Sequence, residues 1–365
     1  MALGLVVGSC GGEDDSNQPV ASGCDAVDVP ERESTSLVIE GDAWAGYAPF
    51  RSEDLLDGTG YTALYVEQSC EEQRAADLSS GDADIAVTTL DQYVLHQPAA
   101  TVVGVVGQSQ GSDALVLDTL RYRYLDGIDD LRQLVEERGD ERPVLAYVAD
   151  SPSEMMLDHL ASTNQQLRLS DFELAEVDRS VTAYQMLQSG EAQLAMLGEP
   201  DTSTARDAGF TVAVTSEDVP NLLVDVILAS NRLIERDPGA VGAVLDAFYT
   251  AMDGYLADRD ALVQLIAEDA ELSEFQAMAV VDGLKLYGTN DASTFMNERV
   301  FPLDRPQVAQ SIEAIGAVLA VENPDLQLGP GSVDGSFVAE LAEARYGSGV
   351  GTDTSTEEQP AEEQA

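Results

Sequence analysis

Positive charge is what this chain has least of. Eighteen Lys and Arg stand against 67 Asp and Glu, a formal net charge of -49, and Lys285 is the only lysine. Nucleic acid and anionic membrane surfaces repel so acidic a chain, which excludes partners of those kinds. Salt screens its self-repulsion, so a salt-adapted source fits the composition. Histidine is also scarce, with His96 and His159 alone, and a histidine-rich metal centre is thereby excluded. There is no Cys-x-x-Cys, His-Glu-x-x-His, EF-hand loop or Walker A segment, so no metal or organic cofactor is expected. No apolar run is long enough to span a bilayer. Aromatics are 6% of the 365 residues, yet 44% are hydrophobic. Regular apolar runs in that proportion argue against a disordered chain and provide for more than one core.

Cysteine is limited to Cys10, Cys24 and Cys70. The opening "ALGLVVGSCGG" resembles the end of a bacterial lipoprotein signal, with Val7-Gly8-Ser9-Cys10 as its lipobox, although a basic leader is missing and the apolar run is short. Acylation of Cys10 would leave Cys24 and Cys70, either to pair in an oxidising compartment or to stand as separate thiols. Residues 1–35 thus read as a signal remnant and polar tether. The tail, 347–365, is poor in apolar residues and reads as disordered.

Between the tails the pattern alternates. "SLVIE", "YTALYVEQ", "ADIAVTTL", "TVVGVVGQS", "DALVLD", "RPVLAYV", "DFELAEV", "AQLAML", "FTVAVT" and "LLVDVILAS" read as strands. "RSEDLLDGTG", "CEEQRAADLSSG", "IDDLRQLVEERG", "SPSEMMLDHLAST", "SVTAYQMLQSG" and "DTSTARDAG" read as helices. Repeated βα units with near-continuous apolar strands predict parallel-dominated sheets covered by helices. From Asp237 to about Val321 the spacing turns helical, including "SEFQAMAVVDGLKLYG". Asp-Pro and Arg-Pro at two helix starts suit proline in the first turn.

Several segments carry candidate chemistry. In "GDAWAGYAPF", Asp42 precedes Trp44 and Tyr47 in a Gly/Pro-rich loop after the first strand. The two rings fit a ligand platform or a lid over the core. In "AVTTLDQY", Thr88 and Thr89 sit between a strand and a helix, where hydroxyls cap or bind. "GQSQG" places Ser109 in a Gly-x-Ser-x-Gly pattern, but a strand rather than a helix follows and neither histidine lies downstream in the usual order, so the hydrolase reading fails. In "VADSPSEMM", Ser151, Pro152 and Glu154 form a capped helix start, and Ser151 and Ser153 lie where free N–H groups could meet an anion. "GEPDTS" places Glu199 and Asp201 at a strand end, as an acid–base pair or a turn with its cap. Asp225 interrupts an apolar strand, where a charge is costly unless paired or facing a cleft.

Taken in order, these segments resemble extracytoplasmic solute-binding proteins of ABC transporters, in the branch that includes nitrate-, sulfonate/taurine- and thiamine-precursor-binding proteins. "GDAWAGYAPF" is similar to the first ligand loop and "LSSGDADIAVTTLDQY" to the approach to the second. "GQSQGSDALVLD" resembles the first crossing, "VLAYVADSPSEMMLDHL" the second-lobe helix start, "AYQMLQSGEAQLAMLGEPDTSTARDAG" the second internal unit, and "VDVILASNRLIERDP" the return strand. The resemblance implies an α/β, two-lobed, type II periplasmic-binding-protein-like fold with two crossover hinges and a helical C-terminal part. Lobe 1 would comprise 36–110 and 225–346, and lobe 2 would be 111–224. It further implies a monomeric, membrane-anchored, extracytoplasmic lipoprotein that carries a small solute to ABC permease subunits and is not an enzyme.

Members that bind anions often use Arg or Lys in the cleft. Here the loops contain Glu40, Asp42, Asp113, Glu199, Asp201 and Asp225. With Trp44 and Tyr47 they suit a flat cationic or amine-bearing solute, while the Ser151–Ser153 helix start keeps an anion open. The other readings are a sensing lipoprotein that does not transport and an enzyme resembling the fungal pyrimidine synthases. The latter needs a cysteine cluster that this chain lacks. Ser109→Ala is expected to leave any background hydrolysis of a chromogenic ester unchanged.

Overall fold

The computed structural model describes residues 35–139, 141–300, 303–322 and 331–347. Cys10, Cys24, the N-terminal segment up to 34 and the tail beyond 347 lie outside the described residues. Among the described residues, eleven strands build the two larger sheets. In chain order they are β1 (Ser36–Gly41), β2 (Thr62–Glu67), β3 (Ile85–Thr89), β4 (Ala100–Ser109), β5 (Ala114–Leu117), β6 (Val144–Val148), β7 (Glu173–Val177), β8 (Leu194–Leu197), β9 (Thr211–Thr215), β10 (Val224–Ser230) and β11 (Leu284–Leu286). The first sheet has the order β11-β4-β10-β3-β1-β2 and the second β7-β6-β8-β5-β9. The helices are α1 (Glu71–Ser80), α2 (Leu90–His96), α3 (Leu131–Arg138), α4 (Pro152–Thr163), α5 (Ser180–Ser189), α6 (Asp201–Asp207), α7 (Asn231–Arg236), α8 (Pro238–Ala257), α9 (Arg259–Asp269), α10 (Glu274–Asp282), α11 (Thr289–Asn297), α12 (Gln307–Glu322) and α13 (Ser336–Tyr346).

The sheets are mixed rather than parallel-dominated. β1 runs parallel to β2 and β3, and β6 runs parallel to β7 and β8. β10 is antiparallel to both β3 and β4, and β5 is antiparallel to β8 and β9. The reason is connectivity. β10 returns from the second sheet and enters the first from the end where β3 and β4 finish, so it must run against them.

Local signals set most of the boundaries. Gly81 stops α1 at φ 87°. Asp237 caps α8 by accepting from the Ala240 N–H, with Pro238 in the first turn. Ser273 and Gln276 form a reciprocal capping box at α10. Three local expectations differ from the structure. "RSEDLLDGTG" is not a helix: a 3-10 turn over Ala45–Arg51 is followed by turns that pass through Gly58 and Gly60 at positive φ. A helix there would bury little, since Leu56 is its one fully buried apolar side chain. "SEFQAMAVVDGLKLYG" splits into α10 and β11. It breaks at Gly283, which packs so closely on the first crossover that a Cβ would lie 2.8 Å from the Ser112 Cα. Pro306 lies just ahead of α12, in a short strand pair with Arg299–Val300.

The main core runs from the first sheet through Leu145 and Met196 of the second and Met156 of α4. On β8 the alternate residues Ala195 and Leu197 face a smaller cluster with Tyr184, Leu187 and Phe210, the period of 2 expected for a strand buried on both faces. Two crossovers, 110–113 and 216–223, join the sheets. α12 adds a non-covalent tie, packing against both α2 and α4.

β4 shows how the first sheet is completed by groups outside it. Beside β11 its edge is paired from Gly107 to Ser109, and the Val106 carbonyl accepts from the Tyr287 N–H. Further back, Val105 finds the buried Tyr249 hydroxyl, which accepts from its N–H (3.0 Å) and donates to its C=O (2.8 Å). Val102 bonds in turn to Ser332 and Asp334. Gly104 permits the approach, since a Cβ there would lie 2.9 Å from the Tyr249 hydroxyl. Tyr249→Phe leaves two buried backbone groups unpaired, at an expected cost of about 1–3 kcal/mol, which urea denaturation followed by circular dichroism will measure.

Candidate functional site

The two sheets bring loops to a common seam. On the first sheet, the Asp42 carboxylate accepts from the Trp44 N–H at 2.8 Å and turns the chain out of β1. The following 3-10 turn buries Tyr47 and Phe50, and Phe50 stacks on Phe248 of α8 at 4.4 Å between ring centroids. Tyr47 is 1% exposed, so it is a core residue with a polar tip. That tip donates to Asp225 Oδ1 at 2.7 Å. Trp44 is half-buried and meets Tyr47 edge-on at 4.8 Å. Its ring lies directly on Gly46, where a Cβ would sit 1.9 Å from the ring.

Asp225 begins the return strand and pairs with Thr89 and Gly107. Burial pushes its carboxyl well above the usual carboxylate range. The Tyr47 bond opposes that shift, and the charges of Asp42, Asp91 and Asp113 reinforce it. Successive residues of a strand point to opposite faces, and this separates the two threonines. The Thr88 hydroxyl donates to Glu71 Oε2 at 2.7 Å. Thr89 precedes α2 and sits beside Asp91, whose carboxyl is raised by burial, with Thr89 and Gln92 opposing that shift.

Arg74 lies beneath this floor and is 1% exposed. Its guanidinium donates to the carbonyls of Gln68 and Val87 and pairs with Glu71 (3.2 Å) and Asp42 (3.6 Å). Burial alone would lower its pKa, but Glu71 and Asp42 outweigh it and raise it. Glu71 is pushed up to about 7, chiefly by burial, against the pull of Arg74.

Asp113 joins the two sheets. Its Oδ2 accepts from Ser109 Oγ (2.7 Å) and its Oδ1 from Ser153 Oγ (2.9 Å). With the Ser109 proton directed to Asp113, the 2.7 Å contact between Ser109 and Ser216 runs from the Ser216 hydroxyl, which also accepts from the Gly111 N–H. Both crossovers and the start of α4 thus share one hydrogen-bonded network. Burial raises the Asp113 carboxyl, against its two serine donors. Ser151 acts as a cap, accepting from the Glu154 N–H and donating to the Val148 carbonyl.

The structure therefore gathers Asp42, Trp44, Tyr47, Thr89, Ser109, Asp113, Ser153 and Asp225 along the seam, with Thr88 just below and Ser151 at the helix cap. Glu199 lies elsewhere. It accepts from the Ser203 N–H and hydroxyl and lines a groove of about 330 Å³ with Arg206, Phe275 and Met278. Asp201 starts α6 and bonds to Ser180. Cys70 is disulfide-bonded and its sulfur caps α1; the partner sulfur lies outside the described residues. Sequence reasoning passed over Arg74, Glu71, Asp91 and Ser216. Only Arg74 left a signal, standing four residues before Leu78 on the buried face of α1.

These features define a two-lobed, type II periplasmic-binding-protein-like fold. A putative periplasmic sulfonate-binding protein SsuA of a sulfonate ABC transporter from Methylobacillus flagellatus KT superposes with a TM-score of 0.66. Its identity is 14%, covering 86% of this chain and 96% of that one. The periplasmic aliphatic sulphonate binding protein SsuA from Escherichia coli gives 0.63 at 18% identity, covering 84% and 92%. The desulfurization enzyme DSZB gives 0.56 at 14%, covering 85% and 99%. No family model matches the chain, and no curated protein matches it by sequence. At these identities the likeness establishes the fold, and the fold alone does not decide between binding and catalysis.

Glu40, at the end of β1, faces α1 rather than the seam. Burial, together with a hydrogen bond to Asp77, pushes its carboxyl up to about 8. The folded state therefore holds an extra proton between the ordinary value of 4.5 and about 8, and stability falls as pH rises through that window. Glu40→Gln is expected to make the decline of Tm between pH 5 and 8 shallower, the remainder coming from the other carboxyls that burial raises, among them Glu71, Glu154, Asp113 and Asp225.

Proposed function

We propose that this protein is the solute-binding component of an ABC-type uptake system and captures a small solute in the seam between its lobes. In this reading Cys10 carries the lipid that holds it at the extracytoplasmic face, and the closed form delivers its cargo to permease subunits. The lobes are 36–110 with 225–346, and 111–224. The observation that carries the reading is the convergence of loops from both sheets: Trp44, Tyr47 and Asp225 from one side and Asp113 with Ser153 across from it. The serine-linked crossovers suit a hinge, in which ligand contacts favour the closed state.

The test is a thermal-shift screen across amines, pyrimidines, sulfonates, phosphonates and oxyanions. A ligand present at 100 times its Kd adds about 2.7 kcal/mol to apparent stability. At least one class should raise Tm and also change the emission of Trp44, the only tryptophan. No response from any class would sink the solute-binding reading. A Tm rise without an emission change would remove Trp44 from the site.

A further inference from the structure

We propose that the seam takes a cationic solute, an amine or quaternary ammonium, held between Asp225 and Asp91 beside the Trp44 ring; this rests on the solute-binding reading above. Three separate observations lead to that charge class.

Negative charge is concentrated and uncompensated. The charges of Asp42, Asp91 and Asp113 all bear on Asp225. Arg74 is engaged below with Glu71 and Asp42. Among the described residues, Asp91, Asp113 and Asp225 form no ion pair with Arg, Lys or His. His96, at the far end of α2, is the cationic group whose charge reaches Asp91.

Asp91 has an unused acceptor. It is 3% exposed, and its Oδ1 has no hydrogen-bond partner, while Oδ2 accepts from the Gln92 amide. A buried carboxylate oxygen without a donor is costly; a protonated amine supplies both the donor and the charge, and a quaternary ammonium the charge alone. Asp225 lies on the same strand register, opposite Thr89, and takes the Tyr47 hydroxyl on Oδ1.

The place where an anion would bind is already filled. A helix N-terminus attracts negative charge, and at the start of α4 the chain's own Asp113 carboxylate takes the Ser153 hydroxyl. A sulfonate entering there would meet that carboxylate at close range. The half-buried Trp44 ring provides the complementary element, since an indole face attracts ammonium groups.

The experiment uses the full chain with matched probes: benzylammonium, choline and agmatine as cations, benzyl alcohol as the neutral control, and benzenesulfonate and ethanesulfonate as anions. Tm and Trp44 emission are read for wild type, Asp225→Asn and Asp91→Asn, with circular dichroism confirming that each variant folds. At least one cation should bind, neither sulfonate should, and each variant should weaken the cation at least tenfold. Calorimetry in two buffers should show proton release on binding, as the carboxyls ionise. Sulfonate binding, cations that no variant weakens, or silence from all three cations overturns the charge assignment. Neutral or anionic hits in that case leave the solute-binding reading intact, whereas silence across the broader screen defeats that reading itself.

Discussion

The structure around the seam depends on one buried cation. Arg74 is enclosed, yet its guanidinium has carbonyl acceptors in Gln68 and Val87 and carboxylate partners in Glu71 and Asp42. Each acceptor belongs to a different piece of the site. Gln68 follows β2, Val87 lies in β3, Glu71 opens α1, and Asp42 starts the loop carrying Trp44 and Tyr47. An unpaired guanidinium in this position would be prohibitively costly, so these pieces can only assemble together. The floor is therefore rigid, and Asp42 reaches the seam already held.

A second network, built on Asp113, sets how the lobes meet. It engages Ser109 at the end of β4, Ser153 at the start of α4 and, through Ser109, Ser216 on the returning crossover. These are short-range, directional bonds, so small changes in lobe angle alter several at once. The carbonyl of Gly283 adds to them, accepting from the N–H groups of Gln110 and Ser112. α12 contacts helices on both sides. Any change in the angle between the lobes would have to carry or slide α12.

A net charge of -49 makes most loops acidic, so acidity alone says little about a site. Burial makes the difference. An exposed carboxylate is solvated and screened, whereas Asp91 and Asp225 are enclosed and hold protons more tightly than ordinary carboxyls do. Enclosure of this kind, and the unpartnered Oδ1 of Asp91, are a property of place, and the composition only supplies the residues.

The succession of strands and helices was legible in the sequence because periodicity, caps and glycine stops are local. "DPGAVGAVLDAF" carries its own start, and "LSSG" its own end. The α/β class followed from the same signals, and the two-lobed form from the resemblance to solute-binding proteins. Strand direction did not, because β10 is set against β3 and β4 by where the chain re-enters the sheet. Asp225 stood out as a charge in an apolar run, and the structure supplies its partner, Tyr47, 178 positions away. Tyr47 looked like a loop aromatic and is a core residue. Arg74 drew no notice in the sequence and is fully enclosed. Ser153 looked free to meet an anion and is taken by Asp113. In each case the sequence determines what a side chain can do, and tertiary packing decides its neighbours and its access to water. Those two quantities set charge state and reach, and no local pattern encodes them.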